Sequence, residues 1–411
     1  MQAEKIATLI IGGGQAGLAM SAQLRDRGLP HLVLERDRIA ERWRTARWDS
    51  LVANGPAWHD RFPPLEFPDI APETFAHKDR IVEYFETFAR QIDAPVRTGV
   101  EVRSLQRDGA GFRAETSEGV IAAENVVIAT GPFQKPLIPT LVPTEAGVVQ
   151  LHSSTYRNPG VLAPGAVLVV GAGSSGSQIA DELLRAGRGV YLSVGPHHRP
   201  PIRYRGRDFC WWLGVLGQWD APTREPGMEH VTIAVSGAHG GHTVDFRRFA
   251  ARGMVLLGRT GAYRNGTLQI DPDLAANIAG GDANYLETLE RADAYAERTG
   301  LDLPQEPEAR VFPPSPDCII NPLSALNLAE ARITSIVWAT GFVSDYSWLH
   351  LPVFDDKGRP AHQGGATAVP GLYFLGLPWL TRRASPFIWG VWHDADLLAG
   401  HIAQHRVPAH S

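Results

Sequence analysis

The sequence predicts an α/β chain of two dinucleotide-binding, Rossmann-like domains, the second inserted into the first. Three observations predict it: a G-x-G-x-x-G loop near the N-terminus, a second such loop far downstream, and two Ala-Thr-Gly strand ends that bracket the second loop. With 411 residues, 44% hydrophobic and 20% charged, the chain is long and apolar enough for two ordinary cores.

The first element is Ile6–Gly17 (IATLIIGGGQAG). Ile6, Leu9, Ile10 and Ile11 suit a parallel strand buried on both faces. Gly12, Gly14 and Gly17 then allow a tight turn, the approach of a pyrophosphate and close helix–strand packing. Gln15 opens a helix whose free N–H groups and positive partial charge receive phosphate. The next strand, His31–Glu35, ends in a carboxylate 18 residues after Gly17, near the spacing at which an acid bonds a ribose hydroxyl. The plain alternative for Glu35 is a solvated strand end.

The second loop is Val167–Gly176 (VLVVGAGSSG), with Gly171, Gly173 and Gly176 in the same pattern and Ser174 and Ser175 at the helix start. Helix Ser177–Ala186 and strand Val190–Val194 complete the frame. Two full frames imply two dinucleotides; a loop at the N-terminus usually belongs to FAD and an internal one to the nicotinamide cofactor. Val194 stands 18 residues after Gly176, so no carboxylate repels a 2′-phosphate, and His197, His198 and Arg199 follow to receive one. NADPH is therefore expected, with NADH open; the alternative has this basic cluster simply facing solvent.

Val126–Gly131 (VVIATG) and Ile336–Gly341 (IVWATG) read as buried strands at the crossings between domains, with Thr130, Gly131, Thr340 and Gly341 in cofactor-side turns. Gly371–Gly376 reads as one more strand entering a glycine turn. The expected organisation is an FAD domain of residues 1–155 and 330–411 and an NAD(P)H domain of residues 156–329, hinged at Pro136–Pro143 and Pro304–Pro316. Ser385 and Pro386 read as N-cap and first position of an apolar helix containing Ile388 and Val391, its N-terminus facing the flavin or serving only as a cap. Residues 205–300 exceed a minimal dinucleotide fold. Their Trp211, Trp212, Leu213, Val215, Leu216 and Trp219 recur at helical spacing, as core or as a helical cover over an apolar substrate pocket.

A net charge of −5 gives no reason to expect nucleic acid. Cys210 and Cys318 are the only cysteines and form no CxxC, so the chain lacks the redox pair of a disulfide reductase. No leader peptide fits the N-terminus, and apolar runs fall short of the ~20 residues of a membrane helix, so a soluble cytoplasmic protein is expected. His393, Asp394 and Asp396 read as a helix surface, and no metal is expected.

The ordering of these motifs resembles the class B flavin-dependent monooxygenases, the group of flavin-containing monooxygenases and YUCCA enzymes. The likeness rests on Gly12–Gly17, Arg42-Trp43-Arg44 with Trp48–Leu51, Val126–Pro132, Gly171–Gly176 and Ile336–Phe342, and covers most of the chain outside about residues 205–330. The family's F-x-G-x-x-x-H fingerprint corresponds to Ala146–His152 followed by Tyr156, which keeps the histidine but has Ala146 and Val148 in place of Phe and Gly. The resemblance implies FAD and NADPH as cofactors, Arg42, Trp43 and Arg44 beside them, and Asn54 over the flavin, hydrogen-bonding a C4a-hydroperoxyflavin. An amide can donate there without being a strong acid; by itself, Asn54-Gly55-Pro56 reads as a turn. The implied reaction puts one atom of O2 on a sulfide or amine, or beside a ketone carbonyl, of a small, largely apolar substrate. An NAD(P)H oxidase, a quinone or ferredoxin reductase, an N-hydroxylating monooxygenase of amino-acid side chains and a non-catalytic redox sensor are the competing readings.

Overall fold

The apolar run after residue 4 forms β1 (Glu4–Ile11), whose Leu9 and Ile10 are fully buried, and the first glycine turn delivers the chain into α1 (Gln15–Asp26). These elements belong to a computed structural model that describes residues 3–222 and 232–405. β2 (His31–Glu35) runs parallel to β1, with Val33 opposite Ile10. The short helix α2 (Glu41–Thr45), the antiparallel pair β3 (Val52–Pro56) and β4 (Phe75–His77), and α3 (Lys78–Gln91) follow. Four further strands, β5 (Val96–Thr98), β6 (Val102–Asp108), β7 (Gly111–Thr116) and β8 (Gly119–Ile128), extend the first sheet in the order β5-β2-β1-β8-β7-β6. β8 is parallel to β1; its first half pairs with β7, leaving Val126–Ile128 for a strand from far along the chain.

The second sheet is built from β9 (Val149–His152), β10 (Ala166–Val170), β11 (Val190–Ser193), β12 (Val255–Leu257) and β13 (Ile333–Trp338), all parallel, in the order β9-β13-β10-β11-β12. Helix α4 (Ser174–Arg185) follows β10. Val167 and Val169 pack into one core with Ile179, Leu183 and Leu192, whereas Leu168 and Val170 pack into another with Ile336 and Trp338. This alternation is why the second strand is apolar at every position. Between β11 and β13 come α5 (Phe209–Val215) and the long helix α6 (Leu274–Thr299). The chain then returns: β14 (Leu372–Phe374) completes the first sheet against Val126–Ile128, and α7 (Ile388–Gln404) packs on α1.

Two strands fall outside the boundaries drawn from sequence. Val149–His152 and Ile333–Trp338 both pair in the second sheet. The reason is local: each glycine turn packs directly against the backbone carbonyl that ends a neighbouring strand. A Cβ on Gly12 would stand 2.6 Å from the Ala129 carbonyl oxygen, and a Cβ on Gly171 2.6 Å from that of Ala339. The two Ala-Thr-Gly ends therefore serve one loop each. The C-terminal helix begins at Ile388, not after Ser385, because the Ser385 hydroxyl accepts the Thr381 and Arg382 amides and closes the preceding loop. No helix among the described residues is long and apolar enough to cross a membrane.

Candidate functional site

Around the first loop, Gly17 lets α1 press on the turn, since a Cβ there would lie 1.8 Å from the Gly12 oxygen. Gly14 differs: the place of its absent side chain has no atom within 4 Å, and no side chain caps α1. An open face over unpartnered helix N–H groups fits a dinucleotide pyrophosphate. Glu35 reaches the same loop, its Oε2 accepting the Gly13 amide at 2.7 Å and its Oε1 the Asp37 amide at 2.9 Å. It is thus a loop-binding carboxylate, half-buried, and not a freely solvated strand end. The Gln15 amide donates to the Pro386 carbonyl at 2.7 Å, bringing the uncapped N-terminus of α7 beside the loop. From α2, an Arg42 guanidinium N–H donates to the Phe133 carbonyl just past Gly131, Arg44 pairs with Glu86 of α3, and Trp43 packs between the cores of both sheets. The Gln134 amide donates to the Thr130 hydroxyl and the Gly131 carbonyl, and Thr340 donates to the Leu137 carbonyl, so these turn residues hold the connections between sheets.

The second loop repeats the geometry: a Cβ on Gly176 would stand 1.8 Å from the Gly171 oxygen, and no side chain caps α4. Its middle glycine is not open, however. A Cβ on Gly173 would meet Thr232 at 3.2 Å, and Ser174 donates to the Ile233 carbonyl at 2.8 Å. Residues 232–237 cross the mouth of the loop, pair with His198 and pass over β3, where Gly237 sits against the Ala53 carbonyl. The glycines and the helix start repeat the pyrophosphate-binding geometry of the first loop, with Thr232 and Ile233 lying over its mouth. Ser174 and Ser175 are the first two residues of α4.

Arg199 does not stand where the sequence reading put it. It is 3% exposed, paired with Asp282 at 2.5 Å and laid over the rings of Tyr285 and Phe312. Arg247 shares the same carboxylate at 2.6 Å. Burial of a charge demands such a partner, and a committed pair cannot also hold a 2′-phosphate. His197 is buried too, and of the three only His198 is exposed.

Asn54 lies within β3, so the turn suggested by Asn-Gly-Pro does not form. Its Oδ1 accepts the Gln178 amide at 2.8 Å from α4, and the same Gln178 nitrogen donates to the Val235 carbonyl at 2.7 Å. Four residues on, Trp58, His59, Trp211, Trp219, Trp389 and Cys210 line an apolar cavity of about 490 Å³. The tryptophan cluster of residues 211–219 therefore divides. Trp212 is core, wholly buried with Tyr204 and Leu289, while Trp211 and Trp219 face the cavity. Sequence reasoning missed Trp58, His59 and Trp389, which periodicity could not connect to α5. His59 stacks on Trp219, its Nδ1 on the Asp60 carboxylate at 2.8 Å, and its buried Nε2 makes no hydrogen bond among the described residues.

His152 ties β9 to the second Ala-Thr-Gly turn, its Nε2 donating to the Gly341 carbonyl at 2.9 Å while Nδ1 meets Ser154. Burial holds its pKa below the usual histidine value. Of the residues read as a helix surface, Asp396 is exposed and paired with Arg27, but Asp394 is buried, accepts from Thr381, and has its pKa raised by that burial. No metal-ligand cluster occurs among the described residues.

A family model described as pyridine nucleotide-disulphide oxidoreductase matches residues 9–205. An oxidoreductase termed CzcO-like from Geobacillus kaustophilus is 35% identical over 401 residues, covering 97% of this chain and 98% of the relative. Indole-3-pyruvate monooxygenase YUCCA1 of rice (Oryza sativa) is 36% identical over 185 residues, 44% of this chain and 45% of that one. Among solved structures, the flavin-containing monooxygenase of Stenotrophomonas maltophilia superposes with a TM-score of 0.67 at 18% identity, covering 98% of this chain and 99% of the other. Both cysteines are free, Cys210 buried and Cys318 partly so.

Proposed function

Since the chain belongs to the family of CzcO-like oxidoreductases, one of which it matches over 97% of its length, and shares 44% of its length with a YUCCA monooxygenase, we propose that it is a class B flavin-dependent monooxygenase that oxygenates a small, largely apolar molecule at the expense of NAD(P)H. The balance is substrate + O2 + NAD(P)H + H⁺ → oxygenated substrate + H2O + NAD(P)⁺. FAD held at the first glycine loop would supply the redox chemistry between nicotinamide and dioxygen that the side chains lack. The chain's own residues bind, orient and exclude water. Gly14 and the α1 N-terminus receive the FAD pyrophosphate, while Glu35 braces the loop through the Gly13 and Asp37 amides and keeps free lone pairs for a ribose hydroxyl. Gly173, Ser174 and Ser175 receive the pyrophosphate of the nicotinamide cofactor. With Arg199 committed to Asp282, a preference for NADPH rests on His198 alone. The tryptophan-lined cavity takes the substrate, keeping it dry and offering flat apolar walls.

The observation that carries this reading is Asn54: a half-buried amide whose oxygen is already bonded to α4, so that its N–H groups are the ones on offer. A neutral donor there stabilises reduced oxygen without supplying the proton that releases hydrogen peroxide. The test measures hydrogen peroxide formed per NAD(P)H consumed across sulfides, amines and ketones. Wild-type enzyme is expected to give oxygenated product with one of these classes and little peroxide, and Asn54→Ala to give peroxide close to one per NAD(P)H. If wild-type enzyme returns all its reducing equivalents as peroxide, or passes them to quinones without oxygenation, the oxidase or reductase reading replaces this one.

A further inference from the structure

We infer that Gln178 is a positioning residue that sets which end of the Asn54 amide faces the cofactor. The inference rests on the Asn54 reading above and adds the device that orients it. Gln178 sits in α4, 7% exposed, and its side-chain nitrogen lies 2.7 Å from the Val235 carbonyl oxygen. A backbone carbonyl only accepts, so the atom facing it is the NH2 group. The second hydrogen of that NH2 goes to Asn54 at 2.8 Å, and the Asn54 atom receiving it must then be the oxygen. Val235 thus fixes Gln178, and Gln178 fixes Asn54.

Without that chain the two orientations of an asparagine amide differ little in shape, and hydrogen bonding alone chooses between them. With it, the wrong orientation sets two NH2 groups against each other. One hydrogen bond of ordinary strength corresponds to a bias of about fivefold or more. The Asn54 Nδ2 makes no hydrogen bond among the described residues, so both of its hydrogens remain to donate. Val235 also belongs to the segment that crosses the second loop at Thr232–Ile233, so the orienting contact starts where the nicotinamide cofactor is proposed to enter.

The experiment compares Gln178→Met, Gln178→Glu and Gln178→Asn with Asn54→Ala in flavin-loaded enzyme. One readout is the side-chain NH2 resonance of Asn54 in protein labelled with ¹⁵N-asparagine, identified by its loss in Asn54→Ala. The other is peroxide per NAD(P)H. A glutamate has the shape of glutamine but only accepts, so Gln178→Glu is expected to turn the Asn54 NH2 group toward itself. That moves its resonance downfield and raises peroxide about fivefold, more than Gln178→Met does. Gln178→Met in the Asn54→Ala background should add nothing. Gln178→Asn, too short to reach Asn54 yet still an amide, serves if the other variants lose flavin, and should behave as Gln178→Met. If Asn54→Ala uncouples the enzyme while every Gln178 variant leaves resonance and coupling at wild-type values, the inference is wrong and the Asn54 reading stands. If Asn54→Ala itself leaves coupling unchanged, the Asn54 reading fails and takes the inference with it.

Discussion

Replacing Gly14 with alanine should separate cofactor binding from folding. The Gly14 backbone is extended (φ −87°, ψ −166°), a conformation alanine adopts without strain, and an added Cβ meets no atom within 4 Å. The position is an N-cap with no side-chain bond to lose, so the apoprotein should give up only about 0.5–1 kcal/mol. The same methyl group stands where a pyrophosphate must come to reach the α1 N–H groups. Each charge-assisted hydrogen bond lengthened or lost is worth about 1.5–3 kcal/mol, and FAD affinity should fall by about 10- to 100-fold. Gly17→Ala makes the contrast. Its Cβ would lie 1.8 Å from the Gly12 carbonyl oxygen, which is backbone and cannot swing aside. Helix α1 must then retreat from β1, at a cost of about 3 kcal/mol or more, and the apoprotein itself should melt early. Thermal unfolding of the apoproteins by circular dichroism, with FAD titrations followed by flavin fluorescence, measures both quantities. A Gly14→Ala protein that binds FAD within about twofold of wild type would place the pyrophosphate elsewhere and refute the reasoning.

Four further outcomes are expected. Asp282→Asn should destabilise the fold by about 3–5 kcal/mol, since it leaves the buried Arg199 and the half-buried Arg247 without their carboxylate, and Arg199→Met should leave the NADPH-to-NADH ratio of kcat/KM unmoved; a changed ratio would return Arg199 to the cofactor site. Trp219→Ala should raise KM for apolar substrates by about tenfold through lost wall contact in the cavity, and an unchanged KM would assign the cavity another role. Burial holds the imidazoles of His31, His152 and His197 below the ordinary value of 6.5. The unfolded chain therefore takes up protons first, and the stability these groups contribute above pH ~6.5 is lost as pH falls below it. Melting temperature should drop between pH 7.5 and 5.5 and drop less in His152→Gln; equal slopes would deny His152 a share.

Both glycine loops were legible because a glycine turn is a local object. The demands for positive φ at Gly12 and Gly171, and for close approach at Gly17 and Gly176, are written within a dozen residues. The domain boundaries were less legible. Strand β13 looks like the start of the returning first domain until its pairing with β10 is seen, and pairing across more than 160 residues leaves no mark in either segment. Arg199 misled for a related reason: a basic cluster reads alike whether it meets solvent or a buried Asp282. Ser385 misled because a serine before proline fits a helix cap and also the loop closure it makes at Thr381 and Arg382.

By itself the sequence determined the two dinucleotide frames, the strands that carry them and the likeness to a flavoprotein family, since glycine geometry and apolar runs are properties of neighbouring residues. Only the tertiary structure decided that Asn54 is a strand residue tied to Gln178, that Trp212 is core while Trp58, Trp219 and Trp389 share one cavity, and that Thr232 and Ile233 lie over the second loop. Those are contacts between segments far apart in the chain. They come into being when the sheets pack and helix α4 comes within hydrogen-bond reach of β3, and no periodicity within one segment can encode them.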